Sequence, residues 1–355
     1  MSKPGEALYP ANSSFSETDW TALAGFWHPV ATSGEADEGP FATVLLDVRV
    51  VVYRSNGKAT AALDICPHRG AQLSRGAIVE EELQCPYHGL RFDGDGRCTL
   101  IPAQGPGGHI PERMRLTTFP TTERYGIVWA KLLDEEVVPV PDWSVLEQER
   151  IISASIPPEL WDVTAARHAE NFNDIAHLAF VHQDTFGAVP PEVPDYELEI
   201  SDTGLRHHYS DLGNSRLFER HLNLGADAPA PTLIEDVKYD YRFTYPFASS
   251  LEVRAPDGRS SFIFDVIQPI AAKKSRVFKI IARNFDLDGP IEGAVAFEQA
   301  VNKEDRGVIE PALPVLVPLD PRDEFHIKAD RWSVAYRRAL SKFGLGVNVD
   351  RVIPE

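Results

Sequence analysis

Cys66-Pro67-His68-Arg69-Gly70 and Cys85-Pro86-Tyr87-His88-Gly89 decide how this chain is to be read. Each pentapeptide offers one thiolate and one imidazole from a single short loop. Iron–sulfur clusters are usually held by four thiolates, but in one class of [2Fe–2S] centre two histidines replace two cysteines on one iron, which raises the potential. Cys-x-His followed by Cys-x-x-His is the spacing of that class, so Cys66, His68, Cys85 and His88 are the expected cluster ligands. A structural zinc site also draws on Cys and His, but it pairs Cys-x-x-Cys with a His-x-x-x-His type pair. Mixed pairs with Pro after each Cys and Gly near each His fit that pattern poorly. Chance is a weaker explanation still, because the chain has three cysteines and two of them fall here.

Around these loops the sequence up to about residue 150 alternates short apolar runs with Gly and Pro. Ala42-Thr-Val-Leu-Leu46, Val48-Arg-Val-Val-Val-Tyr53, Ala61-Ala-Leu-Asp-Ile65, Leu90-Arg-Phe92 and Tyr125-Gly-Ile-Val-Trp-Ala130 read as strands of an all-β domain. Both ligand pairs then lie on loops between strands, where a rigid scaffold presents function. Gly94-Asp-Gly-Arg-Cys98 reads as a hairpin turn entering a strand, with Cys98 a small buried hydrophobe. Pro139 to Pro141, then Asp142-Trp143, mark a boundary, and the expected domains are 1–150 and 151–355. In the second, residues 164–182 read as a helix, about 197–285 as strands, 291–312 as a helix and Asp330 to Leu340 as a last helix. Strands followed by helices indicate an α+β domain.

Composition narrows the function. A net charge of −18 argues against a nucleic-acid partner, since phosphate binding needs a basic face. No run of about 18 uncharged apolar residues suggests a membrane span. MSKPGEALYPANSS at the start lacks an apolar h-region, so no secretory signal is expected. Few cysteines, two of them claimed by the cluster, argue against a disulfide framework and for a reducing cytoplasm.

A second constellation lies in Glu170-Asn171-Phe172-Asn173-Asp174-Ile175-Ala176-His177-Leu178-Ala179-Phe180-Val181-His182. Histidines five apart are separated by roughly 140° on an ideal helix, so they share a face only if the helix ends or bulges between them. Two histidines and one carboxylate are the usual holders of non-heme Fe(II) that activates O₂. The 291–312 helix offers the carboxylate. Ala294, Phe297, Val301, Val308 and Ala312 recur on one stripe, and Asp305 falls inside it. Glu304 lies at its edge and Glu310 opposite. A carboxylate on a buried face is costly unless paired or metal-bound. Asp305 is therefore the candidate ligand and Glu304 the runner-up, with a solvent-directed Asp305 or an Asp305–Arg306 pair as the plain alternative.

With both constellations in view, the chain resembles the oxygenase component of Rieske non-heme iron oxygenases over nearly its whole length. It is most similar to the short demethylases of that family, which act on methylxanthines, dicamba and vanillate. Phe26-Trp-His-Pro-Val30, Cys98-Thr-Leu-Ile-Pro-Ala103, Glu123-Arg-Tyr-Gly-Ile-Val-Trp129, the Glu170–His182 stretch and Glu304-Asp-Arg-Gly-Val-Ile-Glu310 carry the resemblance to the methylxanthine demethylases. The stretch 185–235, with Phe186-Gly-Ala-Val-Pro-Pro191 and Ala226-Asp-Ala-Pro-Ala-Pro231, departs from the family and is expected to shape the pocket differently. The apolar strands from Leu251 to Ala282 are expected to line much of that pocket.

The resemblance implies a Rieske domain followed by a helix-grip catalytic domain, assembled as a head-to-tail homotrimer that closes into a ring. It implies a [2Fe–2S] cluster and a mononuclear Fe(II) on His177, His182 and Asp305. Electrons would come from NAD(P)H through a separate reductase, with or without a ferredoxin. Asp174 would hydrogen-bond His177 and, across the subunit interface, His88. Asn171 would lie near the iron. The implied activity is O₂-dependent hydroxylation of a small aromatic or heterocyclic compound; on an O- or N-methyl group the product collapses to formaldehyde and the demethylated compound. A ring-hydroxylating dioxygenase is the same-class alternative, and a Rieske electron carrier without oxygenase activity the different-class one.

Overall fold

The structure is a computed structural model describing residues 8–187, 189–211 and 236–346. Ala188 and the 212–235 part of the expected pocket-shaping stretch lie outside the described residues. The chain divides into two compact units, Met1–Val140 and Pro141–Glu355. The break falls in the Pro139–Pro141 stretch. Trp143 packs its ring 5.1 Å from that of Phe264, so the residues following Pro141 belong with the second unit.

The first unit is built of short antiparallel strands: β1 (His28–Thr32), β2 (Phe41–Leu45), β3 (Val48–Ser55), β4 (Lys58–Leu63), β5 (Ala77–Val79), β6 (Glu82–Gln84), β7 (Arg91–Phe92), β8 (Cys98–Leu100), β9 (Thr118–Phe119), β10 (Thr121–Arg124) and β11 (Ile127–Ala130). They form sheets ordered β1-β11-β10, β2-β3-β4-β9 and β5-β6-β7-β8. Two helices, α1 (Glu17–Ala24) and α2 (Ser33–Asp37), interrupt the all-β expectation. Their start signals are legible: Ser16 accepts from the Asp19 amide, and Thr32 and Glu35 form a reciprocal capping box. The turn before Cys98 forms as expected, with Asp93 Oδ1 accepting the amides of Asp95 (2.9 Å) and Arg97 (2.8 Å). Cys98 itself is half-buried against the core beneath the ligand loops.

The second unit is an antiparallel sheet with helices on one face, a mixed α+β architecture. Its strands are β12 (Ile152–Trp161), β13 (Glu197–Ile200), β14 (Gly204–Asp211), β15 (Val237–Thr244), β16 (Ala248–Arg254), β17 (Ser260–Ala271) and β18 (Lys274–Arg283), ordered β12-β18-β17-β16-β15-β14-β13. The helices are α3 (Ala165–Asn173), α4 (Leu178–Val181), α5 (Gln183–Phe186), α6 (Glu292–Ile309) and α7 (Arg331–Lys342). Among the described residues no helix is long and apolar enough to cross a membrane.

Register sets which residues meet the helices. Phe243 pairs with Ser249, Ser249 with Asp265, and Asp265 with Lys279. Alternation then puts Tyr239, Tyr241, Leu251, Ile263 and Ile281 on that same helix-facing side. Asn173 of α3 donates to Ser249 Oγ at 2.9 Å, which fixes the side on which α3 lies. A buried bidentate pair, Arg337 to both Glu170 oxygens at 2.8 Å, ties α3 to α7.

Candidate metal centres

The two cysteine loops are built the same way. The Cys66 amide donates to Ala71 O (2.8 Å) and Gly70 N–H returns to Cys66 O (2.9 Å); the Cys85 amide donates to Leu90 O (2.8 Å) and Gly89 N–H returns to Cys85 O (3.1 Å). Closing each turn requires a left-handed residue, met by Gly70 at φ +73° and Gly89 at φ +67°. Asp64 anchors the first loop by accepting the Ser74 amide and hydroxyl at 2.8 and 2.6 Å. Cys66 and Cys85 are buried in an apolar core with Tyr53, Leu83, Leu90 and Phe92, whereas His68 and His88 are exposed. The two imidazoles meet edge to face, centroids 4.5 Å apart.

Two buried thiols and two exposed imidazoles are a donor set that would suit a cluster held by two Cys and two His. Burial pushes the Cys66 thiol up to about 11, and the neighbouring Cys85 adds to the rise, while amides of His68 and Arg69 pull it down. A bound metal displaces such a proton outright. Desolvation, then His68 and Arg69, hold His88 below the ordinary histidine range, in the neutral form that ligates.

The helix expected over 164–182 is broken in two places, and the breaks make the second site. Helix α3 ends where Asp174 turns extended (φ −82°, ψ 128°). The cause is local. Asp174 Oδ1 accepts the Ala176 amide at 2.9 Å, a side-chain turn that competes with the helix, and Oδ2 lies 3.3 Å from His177 Nδ1. His177 then starts α4, and His182 sits outside helical geometry at φ −102°, ψ 32°. The 140° separation of an unbroken helix vanishes: the two Nε2 atoms are 3.1 Å apart.

Asp305 on α6 completes the group. Its Oδ1 is 3.4 Å from His177 Nε2 and 3.3 Å from His182 Nε2, and the ligand atoms of all three residues lie within 4.8 Å of one another. Donors about 2.1 Å from one ion at right angles lie about 3 Å apart, so the spacing suits a single cation. Asp305 Oδ1 is buried and has no hydrogen-bond partner, as expected of an atom reserved for a metal. Burial alone would lower His177; Asp174 and Asp305 outweigh it and hold the imidazole at about 9. Burial likewise raises Asp305, yet the two imidazoles bring it far below the carboxylate range.

Glu304 behaves differently. Its Oε2 accepts from His182 Nδ1 at 2.7 Å and from the Thr185 hydroxyl at 2.6 Å, and its Oε1 from the Thr185 amide at 3.2 Å. It orients the His182 ring, leaving the Nε2 lone pair aimed at His177 and Asp305. Arg306 turns to Glu310 (3.0 Å), away from Asp305. Glu310 also accepts the Asp162 amide at 3.1 Å, outside the site. Asn171 takes part in the turn through its backbone carbonyl, which accepts the Asp174 amide at 3.1 Å.

Periodicity placed α6 only in part. Val308 is 52% exposed, and the buried face is Glu298, Val301, Asn302, Asp305 and Ile309. The strands from Leu251 to Ala282 are also less apolar than expected. Asp265 and Lys279 are buried among them, and Ile263 and Ile281, with Ala294 and Phe297, border a partly open cavity of about 20 Å³, with room for one water. Phe297 leads back to the triad, its ring 5.8 Å from Phe186, which lies 4.7 Å from His182. Thr185, Asp265 and Lys279 escaped sequence reading, and Glu304 was read as the runner-up ligand rather than as a partner of His182. A carboxylate beside Asp305 was the one available signal, and it pointed to a competing ligand.

Comparison with known proteins agrees with the fold. Residues 26–120 match the Rieske [2Fe-2S] domain and residues 161–344 the vanillate O-demethylase oxygenase C-terminal domain. Methylxanthine N1-demethylase NdmA of Pseudomonas putida is 33% identical over 90% of this chain and 88% of its own length. The oxygenase component of dicamba O-demethylase from Stenotrophomonas maltophilia is 28% identical over 82% of this chain and 88% of its own. The structure of Pseudomonas putida CBB5 NdmA with caffeine superimposes with a TM-score of 0.77 at 31% identity, covering 92% of each chain.

Proposed function

The chain belongs to the Rieske oxygenases, and on that premise we propose that it is the oxygenase component of a demethylating monooxygenase system for small methylated aromatic or heterocyclic compounds. The observation that carries the reading is the convergence of His177, His182 and Asp305 from two separate helices on one point. An electron carrier has no use for it, which speaks against that alternative. A ring-hydroxylating outcome uses the same donor set; similarity to N- and O-demethylases over most of the chain favours demethylation.

Cys66, His68, Cys85 and His88 hold the [2Fe–2S] cluster, and His177, His182 and Asp305 a mononuclear iron. When bound, these groups supply one-electron storage and O₂ activation. The protein's part is geometric and electrostatic. The cysteine loops bury the thiolates and leave both imidazoles at the surface, His88 being the exit for an electron. Asp174 and Glu304 hold the outer nitrogens of His177 and His182, so that both Nε2 lone pairs face inward. The helix-facing side of the sheet places the reacting methyl carbon and excludes water. Electrons come from NAD(P)H through a separate reductase. A head-to-tail homotrimer in the cytoplasm sets one subunit's His88 beside the next subunit's Asp174, and Asn171 lies close to the iron.

Metal analysis and a turnover screen test this. The loaded chain should carry about three irons and two labile sulfides. With a surrogate reductase, NADH-dependent O₂ uptake on a methylated substrate should release one formaldehyde per methyl removed. Zinc without visible colour, or iron confined to the cluster, would refute it.

A further inference from the structure

Behind the triad, five polar residues are almost completely removed from water: His168 (3% exposed), Asp265 (0%), Lys279 (6%), Glu298 (4%) and Asn302 (2%). Buried charges are expensive and persist where they are paired. Here the pairing has a direction. Asp265 on β17 and Lys279 on β18 are direct cross-strand partners. Asp265 reaches one way, both carboxylate oxygens 3.1 Å from His168 Nε2 on α3. Lys279 reaches the other way, its Nζ donating to Asn302 Oδ1 at 2.6 Å and to Glu298 Oε2 at 3.3 Å, both on α6. Its own Asp265 partner is 3.7 Å away.

One of those helices leads into the triad's two histidines and the other carries Asp305. Helix α3 runs directly into the Asp174 turn that presents His177 and His182. Helix α6 holds Asp305 less than one turn beyond Asn302. We propose that the Asp265–Lys279 pair is a buried ionic clamp that sets the separation of α3 from α6 and thereby the spacing of Asp305 from His177 and His182. Apolar packing at these positions would let either helix slide by fractions of an ångström, whereas hydrogen bonds of fixed length and direction do not. Burial lowers the affinity of Lys279 for its proton, but Glu298, Asp265 and Asp305 more than restore it, so the ammonium stays charged inside the protein. These are positioning residues, acting through the helices they hold.

The inference rests on the triad being a metal site, so the test separates the two. Full-length chain with the cluster loaded, oxidised and EPR-silent is stripped of mononuclear iron and titrated with Co(II) alone. Wild type, Asp305→Ala, Lys279→Met and Asn302→Leu are compared by affinity, by EPR line shape and by melting. Lys279→Met should bind Co(II) about 10–100-fold more weakly, the loss usual for removing an outer partner, with a broadened or shifted line shape. Asn302→Leu should move the same way by less. Combining it with Lys279→Met should add little, since both act on one contact. A residue that only supported the core would lower the melting temperature and leave the line shape alone. Wild-type affinity and line shape in Asn302→Leu and in folded Lys279→Met would overturn the clamp; should Lys279→Met fail to fold, Asn302→Leu decides by itself. Equal Co(II) binding by wild type and Asp305→Ala would overturn the triad reading, and the clamp with it.

Discussion

Glu304→Gln asks whether a carboxylate next to the triad is a support or a ligand. Glu304 accepts from His182 Nδ1 at 2.7 Å, and the ring is 1% exposed, so the bond is charge-assisted and screened from water. Hydrogen bonds to charged groups contribute about 1.5–3 kcal/mol. Glutamine keeps one acceptor, but its amide can also present N–H to His182, and it no longer enforces the Nδ1–H tautomer. Thr185 sharpens the conflict, because its hydroxyl and amide both donate to the same carboxylate. A glutamine oxygen at the Oε2 position can still accept from His182 and the Thr185 hydroxyl, but its amide group then faces the Thr185 N–H; turned the other way, the amide group faces His182 Nδ1. Losing about half to all of the bond, roughly 1–3 kcal/mol, means a metal affinity weaker by about 5–140-fold at 1.4 kcal/mol per decade. Competitive Fe(II) or Co(II) titration of the cluster-loaded chain measures it, with labile sulfide confirming that the first unit is intact. Unchanged affinity would refute the support role. Loss as complete as in Asp305→Ala would make Glu304 a ligand.

Asp305→Ala should empty the mononuclear site while cluster absorbance stays at the wild-type level; retained stoichiometric iron would remove Asp305 from the ligand set. Asp174→Asn should leave both centres loaded, because its contact is to the outer nitrogen of His177, yet slow electron transfer between them by orders of magnitude in rapid-mixing experiments; full turnover would discard the bridging role. Acid should destabilise the fold through two buried histidines. Burial lowers His28 to about 4 and His207 to about 3, so the unfolded chain binds protons the folded one refuses. Their contribution is whole above about pH 6.5 and is lost as pH falls toward those values, on the order of 3 kcal/mol for His28 and somewhat more for His207. Denaturant melts at pH 7 and pH 5 should show the drop, and His207→Phe should remove part of it; identical slopes would refute the assignment.

The cluster site was legible because it is local. Each Cys–His pair lies within one five-residue turn, and the turn's geometry is enforced by its own glycine, so no distant contact is needed to bring the two donors of a pair together. Asp305 was reachable from helical periodicity, since a carboxylate on a buried face needs a reason. The stripe that pointed to it nevertheless included the exposed Val308 and omitted Glu298 and Asn302, because periodicity ranks residues by hydrophobicity and the inner face of α6 is polar. The break at Asp174 was only a condition, that the helix must end for both histidines to meet. The Asx turn that breaks it could equally have been an exposed helical carboxylate.

By itself the sequence determined the class of chemistry: four candidate cluster donors on two short loops, two histidines close in the chain, and a strand-then-helix order for the second unit. Tertiary structure alone decided that the neighbouring Glu304 holds a histidine while Asp305 meets both Nε2 atoms, and which sheet residues stand behind them. The physical reason is range. Turn geometry and helical phase are set by neighbours a few residues away. The approach of Asp305 to His177 and His182, and of Lys279 to Asn302, depends on strand register and helix seating across more than a hundred residues in the first case and a sheet pairing in the second.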